Sequence, residues 1–407
     1  MRTKSLLLLL SLGFLCFQSC TEKAIGDHEI MIFNDEPMNF NPDENCLNIN
    51  DDIIKVHEGR ILLKKVKLPK YHKDVKVNAE VQIVSAGDPW DKTGSFFLIP
   101  ASSEINFLLE NDKFEQLYAE NTNSDLFPGI TPEKGYSPAV EILRFMTPFG
   151  VGHFSNDSTI LKRKPVYIPK WADKVVWNED VTQLVSELEG EVWIGAFVDV
   201  WTPTGYKITA KLSFEESKAI KYPKVETKVI PLANTVQYIK PQKLYDGFNR
   251  HDLEYQFEIP KGYKSAKLYY ITTGHGGHSG GDEFVEKENI VSINGEALYQ
   301  DVPWRDDCAS FRRFNPHSGV WTAKRIARTG NLRTGDTKET EIDEFTASSD
   351  YSRSNWCPGS KVSPFVMDIP NFNIGKNTIS ISIPEAQPII GDKANHWNVS
   401  AYIVLTK

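Results

Sequence analysis

Cysteine, methionine and long apolar runs are all scarce in this chain of 407 residues. Of five cysteines, Cys16 and Cys20 fall at the N-terminus, leaving only Cys46, Cys308 and Cys357. In an oxidising compartment those three make one disulfide and one odd thiol, with the pairing open. Methionine also numbers five, one of them Met1, and no His-x-His occurs, so the usual soft-metal ligands are thin. No polybasic run is present and the net charge is −8, which argues against a nucleic-acid partner. After the first twenty residues no segment approaches the length of a transmembrane helix. Repeats of the solenoid kind are absent as well.

The N-terminus reads as a targeting segment. Arg2 and Lys4 form a basic start, and Leu6 to Phe17 an apolar stretch too short to span a bilayer as a mature helix. It closes on Phe17-Gln18-Ser19-Cys20, which resembles a bacterial lipobox. That resemblance implies a signal over residues 1–20, cleavage before Cys20 and lipidation on it. The expectation is an exported monomer at the outer membrane, periplasmic or cell-surface, touching the membrane through its lipid anchor alone.

Beyond the signal, residues 21–58 are acidic and rich in asparagine, and are expected to form a tether or a small module. Strand patterns then dominate. Val75, Val77, Ala79, Val81 and Ile83 alternate with polar residues, predicting a half-buried strand. Ser95–Ile99 and Val140–Met146 read as strands. In Glu191–Trp201, positions 192 to 200 alternate, placing Trp193, Phe197, Asp199 and Trp201 on the other face. Residues 102–136 read as an insertion with a helical pattern around Phe107–Tyr118, and Val181–Leu188 as a turn or two of helix. Lys218–Lys228 is basic and carries a proline, which suits a linker. A second strand series follows between Leu253 and Leu405, interrupted by a polar stretch, 313–350, expected to be a long loop. Short strands, Gly/Pro turns and few helices predict an all-β chain. It is expected as two antiparallel jelly-roll sandwiches side by side, over 59–222 and 223–407.

One stretch stands out between two strand-like runs: Ile271 to Gly295, with a cluster of glycines, His275, His278, Asp282 and Glu283. Glycine permits positive φ and close backbone approach, so such a loop can fold tightly around a ligand or anchor. Asp91 after Trp90, Asp199 near Trp201, and Glu283 are three acids beside aromatics or at a loop end. Carboxylates gathered in one cleft raise each other's pKa and can supply both an acid and a base. The two histidines with Asp282 and Glu283 also offer metal-ligand types, although a glycine loop fixes no helical face. Nine tryptophans are enough for both core packing and stacking on flat ligands.

Several segments, in order, resemble the PNGase F family of bacterial peptide-N4-(N-acetyl-β-glucosaminyl)asparagine amidases. Asp88-Pro89-Trp90-Asp91 is similar to the family's turn ending in its principal catalytic Asp. Arg144-Phe145-Met146-Thr147-Pro148-Phe149-Gly150-Val151-Gly152 resembles an R-F-I-T-P segment. Asp199-Val200-Trp201 stands where the family has E-T-W. Gly274–Gly295 resembles the loop ending in a second catalytic Glu, here Glu283. Arg353-Ser354-Asn355-Trp356-Cys357-Pro358-Gly359 resembles R-x-G-W-C-P-G. Together they cover roughly 59–407.

The resemblance implies paired jelly rolls with a cleft at their interface, and hydrolysis of the amide joining Asn to the first GlcNAc of an N-glycopeptide or glycoprotein. It implies Asp91, Glu283 and Asp199 as catalytic carboxylates, with Asp199 orienting sugar. Trp90, Lys92, Trp201, His275, Gly276, His278, Arg353 and Trp356 would bind substrate, with the tryptophans walling the cleft. It further implies a Cys308–Cys357 disulfide, worth about 3–4 kcal/mol in the chain-entropy picture, and neither metal nor cofactor. Departures are visible. Asp199 is one methylene shorter than the family's Glu, His275 replaces a Trp, and Lys92 replaces an Arg. Phe284-Val285 replaces Trp-Cys, which removes a disulfide. The alternatives are a non-catalytic glycan-binding lipoprotein, and a copper-dependent oxidoreductase on the same architecture using His275 and His278.

Overall fold

The structure is a computed structural model, and it describes residues 25–43, 47–50, 52–109, 129–153, 168, 170–218, 224–238, 247–277, 280–391 and 393–407. Cys20, Cys46, His278 and most of the 107–118 helical pattern lie outside these residues. The first half holds β1 (His28–Met38), β2 (Leu47–Asn50), β3 (Ile53–Val56), β4 (Ile61–Leu68), β5 (Val75–Ser85), β6 (Thr93–Ile99), β7 (Val140–Met146), β8 (Val175–Asp180), β9 (Gly190–Val198) and β10 (Tyr206–Glu216). The second holds β11 (Thr227–Asn234), β12 (Leu253–Ile259), β13 (Ser265–His275), β14 (Asn289–Ile293), β15 (Glu296–Asp301), β16 (Val320–Gly330), β17 (Thr337–Ala347), β18 (Lys361–Val362), β19 (Phe365–Asp368), β20 (Gly375–Ser382) and β21 (His396–Thr406).

The pairing among these strands is antiparallel throughout and builds two sandwiches. In the first, the sheet β1-β10-β5-β8 faces β18-β7-β6-β9-β4-β3-β2. The alternation expected in β5 is real: Val77, Ala79, Val81 and Ile83 are buried, opposite Phe96, Leu98 and Ile194. The second pairs β11-β21-β13-β19 with β12-β20-β14-β15 around Leu268, Tyr270, Ile379 and Ile403. The two-domain all-β architecture anticipated above is therefore present.

Two expectations fail. The described residues of 21–58 form neither a tether nor a separate small module, because β1 lies beside β10 and buries Ile32, Phe33 and Met38 in the first core. The acidic composition masks a strand whose solvent side carries the charge. The stretch 313–350 is no loop, because β16 and β17 form an arm with eleven paired positions per strand. Its residues are largely exposed, Ile326 and Phe345 among them, so no apolar alternation signals it. Phe107–Leu109 lie in a turn, and Val181–Leu188 holds one 3₁₀ turn, Thr182–Leu184. β9 stops at Val198, so Asp199 and Trp201 sit in the following loop instead of on the strand.

The sandwiches are locked together where the cleft will lie. β18, from the second half, adds to the edge of β7, and the chain then crosses through Pro364 into β19 of the other sandwich. Arg144 and Glu141 on β7 are fully buried and ion-paired, with Arg144 Nε donating to Glu141 Oε2 at 3.0 Å. The other guanidinium arm donates to the carbonyl of Asn398 on β21, at 2.5 Å. Tyr238, following β11, and Asn234, its last residue, bond back to Ser95 and to the Ala139 carbonyl.

A buried charge left without its partner is costly. Glu141→Gln is therefore expected to destabilise the chain by about 3–5 kcal/mol, read from urea unfolding at neutral pH. A change below about 1 kcal/mol would show that the pair does not clamp the domains.

Candidate active site

Asp91 is presented by a rigid turn after β5. Asp88 is wholly buried and organises it: Oδ1 accepts the Trp90 N–H at 2.9 Å, and Oδ2 accepts the Thr202 hydroxyl at 2.8 Å. Such a side chain-to-backbone bond is the Asx-turn device. Ser85 Oγ donates to the Asp88 carbonyl at 2.7 Å, and the Tyr206 hydroxyl donates to the carbonyl of Trp90. Beyond Asp91, Lys92 and Thr147 exchange two bonds of 2.8 Å, through Lys92 N–H to Thr147 Oγ1 and Thr147 N–H to the Lys92 carbonyl. Gly205, at φ 60°, has no room for a side chain, since a Cβ would lie 1.9 Å from the Met38 carbonyl oxygen. Its own carbonyl accepts the N–H groups of Ala86 and Asp88.

Glu283 is fixed by a different device. Its neighbour Asp282 is completely buried. Asp282 accepts the Trp397 indole N–H at 2.9 Å and both the backbone and side-chain N–H groups of Gln387, at 2.9 and 3.0 Å. Ser354 Oγ donates to the Asp282 carbonyl at 2.6 Å, and Ser354 N–H to that of Glu283 at 3.0 Å. The glycines are needed for close approach: a Cβ on Gly276 would sit 2.3 Å from Asn395 Oδ1, the atom that accepts the Asp282 N–H. The Gly276 backbone N–H also favours the charged form of the Glu283 carboxylate.

Arg353 joins the two acids. Its Nε donates to Glu283 Oε1 at 2.9 Å, and its Nη2 lies 3.8 Å from Asp91 Oδ2. Nη1 and Nη2 also donate to the carbonyls of Tyr351 and Ser348, both at 2.9 Å. The guanidinium lies over the rings of Trp356 and Phe284, at 4.8 and 5.0 Å from their centres. Phe284, a departure from the family pattern, thus retains an aromatic contact on this cation. The segment carrying Arg353 is held by paired backbone bonds to Arg305 and by the Cys308–Cys357 disulfide.

Burial pushes the Glu283 carboxyl up to about 8; Arg353 opposes this, and Asp91 adds to it. Asp91 is raised as well, first by burial, with Arg353 and Lys92 pulling it back. Two carboxyls beside one cation therefore hold a proton near neutrality, and Glu283, raised to about 8, carries it.

Asp199 lies apart from this pair. Its Oδ1 receives Arg60 Nη1 at 3.3 Å and the Trp201 indole N–H at 3.0 Å. Trp90 and Trp201 are 57% and 52% exposed, as ring walls require. Trp356 is only 3% exposed; it lies under Arg353 and donates its N–H to the Gly274 carbonyl, so it is not a wall. His275 is buried too, its ring stacked with Trp356 and His396 and its Nε2 bonded to Thr273 Oγ1. Burial holds that imidazole well below its ordinary pKa, so it is neutral packing beneath the loop and not a sugar ligand. Among the described residues no three His, Cys, Asp or Glu side chains converge as metal ligands do. Sequence reasoning missed Arg60, gave Asp88 and Thr147 no role of their own although both lie in quoted motifs, and offered Asp282 as a metal-ligand type instead of a buried anchor; the Asp before a Trp-Asp turn was the one available signal. An open groove of about 530 Å³, lined by Asp74, Lys76, Tyr269 and Val404, includes neither Asp91 nor Glu283.

Two family descriptions match the chain in the order of its sandwiches: "Peptide-N-glycosidase F, N terminal" over residues 29–214 and "Peptide-N-glycosidase F, C terminal" over 243–404. Among solved structures, PNGF-II is similar at 33% identity over 93% of this chain, with a TM-score of 0.75. The chain spans 65% of the length of PNGF-II. PNGase F, described as a glycosylasparaginase from Flavobacterium meningosepticum, shares the fold at 13% identity, with 94% of this chain and 96% of that one covered and a TM-score of 0.57. No curated protein sequence matches the chain. With both halves matched in order over most of its length, the chain belongs to the peptide-N-glycosidase F family.

Proposed function

We propose that this protein hydrolyses the amide between an asparagine side chain and the first GlcNAc of an N-linked glycan. The observation that carries the reading is the single guanidinium, Arg353, held against both Asp91 and Glu283, with Trp90 exposed next to Asp91. Amide hydrolysis needs a base to activate water and an acid for the leaving nitrogen. Asp91, beside the exposed Trp90 and facing the Arg353 and Lys92 cations that favour its charged form, takes a proton from water as its oxygen attacks the side-chain carbonyl carbon. Glu283, protonated at neutral pH, donates its proton to the departing nitrogen as the C–N bond breaks. The peptide keeps a new carboxylic acid, an Asp in place of Asn. The glycosylamine leaves and loses ammonia in water. Proton exchange with solvent then restores the starting pair, while Arg353 holds both groups in place.

Incubating the protein with a denatured N-glycoprotein should raise the mass of each site by about 1 Da relative to unmodified Asn, by the chemistry of amide hydrolysis. Cleavage between two sugars, or glycan binding without turnover, would contradict the reading. Asp91→Asn should cost at least about 10³-fold in kcat and Glu283→Gln about 10²–10⁴-fold, as loss of a base and of an acid. A well-folded Asp91→Asn variant with normal turnover would exclude Asp91 as the base.

The pH dependence follows from the direction of the shifts. Glu283 must be protonated to act, so activity should fall as pH rises through about 8. The same shift makes the folded chain bind more protons than the unfolded one between the ordinary value of 4.5 and about 8. Stability should therefore decline as pH rises across that window, and Asp91 contributes with the same sign. Glu283→Gln should flatten the decline, as followed by denaturant midpoints at successive pH values. An unchanged slope would show that Glu283 is not raised.

A further inference from the structure

Arg60 is a buried cation that nothing in the proposed reaction uses. It follows β3 through a turn in which His57, Glu58 and Gly59 all have positive φ, at 55°, 56° and 84°. Two of the three are not glycine, and non-glycine residues rarely adopt that conformation, so the turn is a specified and strained one. Gly59 is required, since a Cβ there would meet the Asn39 carbonyl oxygen at 2.3 Å. The turn is held by Asn41 N–H to the Glu58 carbonyl at 2.8 Å, and the Arg60 carbonyl accepts the Val198 N–H at 3.1 Å. Arg60 thereby enters at the end of β9, directly beneath the loop that carries Asp199 and Trp201.

Arg60 is 2% exposed, and its guanidinium makes three kinds of contact. Nη1 lies 3.3 Å from Asp199 Oδ1, and Nη2 bonds His57 Nε2 and lies 3.8 Å from Glu58 Oε2. Its carbon lies 4.2 Å from the centre of the Trp201 ring, with Phe40 packed beside both. Nε is buried with no hydrogen-bond partner among the described residues. A buried, partly unsatisfied arginine costs stability, and it has to be held by something other than the fold's own demand. Both bonds on Asp199 fall on Oδ1, and Oδ2 accepts none among the described residues, although the carboxylate is 36% exposed.

We propose that Arg60 is the positioning residue of a sugar subsite. By holding Asp199 Oδ1 and one face of Trp201, it leaves Oδ2 and the opposite indole face set to take a hydroxyl or N-acetyl N–H and the apolar face of a GlcNAc-type sugar. This accounts for the shorter acid at position 199: an Asp reaches Arg60 and the indole N–H together, and its second oxygen is left for ligand. The choice of sugar rests on the amidase reading; the geometry of the platform does not.

Arg60→Met keeps much of the length and packing but removes the charge, and Arg60→Lys keeps the charge but loses the planar stack. Two quantities are measured in each folded variant: KM and kcat on an N-glycopeptide, and the Kd for N,N′-diacetylchitobiose by calorimetry, with Trp fluorescence as a second signal. Loss of a positioned acceptor and stacking face should raise KM and Kd about tenfold or more in Arg60→Met, leave kcat within about threefold, and be partly rescued in Arg60→Lys. Unchanged KM and Kd in either folded variant, or a loss confined to kcat, would overturn the proposal. Should the parent protein show no amidase turnover, the proposed function fails by itself. The chitobiose arm then decides alone: no binding, or binding that Arg60→Met leaves unaltered, overturns the subsite.

Discussion

The site depends on one cation facing two carboxylates in a largely enclosed space. A buried guanidinium is tolerated only with acceptors around it, and Arg353 has three, two backbone carbonyls and Glu283, with the Asp91 carboxylate 3.8 Å away as a fourth, purely ionic partner. Held by this one group, Asp91 lies close enough to raise Glu283 further. A single guanidinium thus sets distance, orientation and proton occupancy together. A lysine in its place would be a point charge without the fork that reaches both sides.

Most of the surrounding structure serves to keep that arrangement still. The turn before Asp91 is tied by Asp88, Ser85 and Tyr206. The loop before Glu283 is wrapped around Asp282, and the segment bearing Arg353 is pinned by the disulfide and by Arg305. Asp91 belongs to one sandwich, whereas Glu283 and Arg353 belong to the other. The Arg144 bond to the Asn398 carbonyl and the β18–β7 crossing therefore matter to the chemistry at a distance, because they tie one domain to the other.

Much of this was legible in the sequence, and the parts that were not share a physical cause. The alternation at Val75–Ile83 announced a half-buried strand because one face meets a core. β16 and β17 bury little on either face, so no period marked them. β1 was hidden by acidic composition although Ile32 and Phe33 are core. Asp91 and Glu283 stood out beside a tryptophan and within a glycine loop. Arg60 carried no local signal, because its role arises from a strained turn and from partners 139 and 141 positions away, and neither is written in a window of sequence. His275 and Trp356 misled for the opposite reason: aromatic residues near a site look the same in sequence whether they line a cleft or pack beneath it.

The central claim is that Asp91 and Glu283 share one proton near neutrality, held on Glu283 by burial against Arg353. Carbon-13 NMR of the side-chain carboxyls, titrated with pH in the intact protein and assigned with Glu283→Gln, tests this most directly. The account predicts a Glu283 resonance that titrates near 8, with a smaller response at the same pH in Asp91. A Glu283 carboxyl titrating near its ordinary value of 4.5, with no response in Asp91, would contradict it.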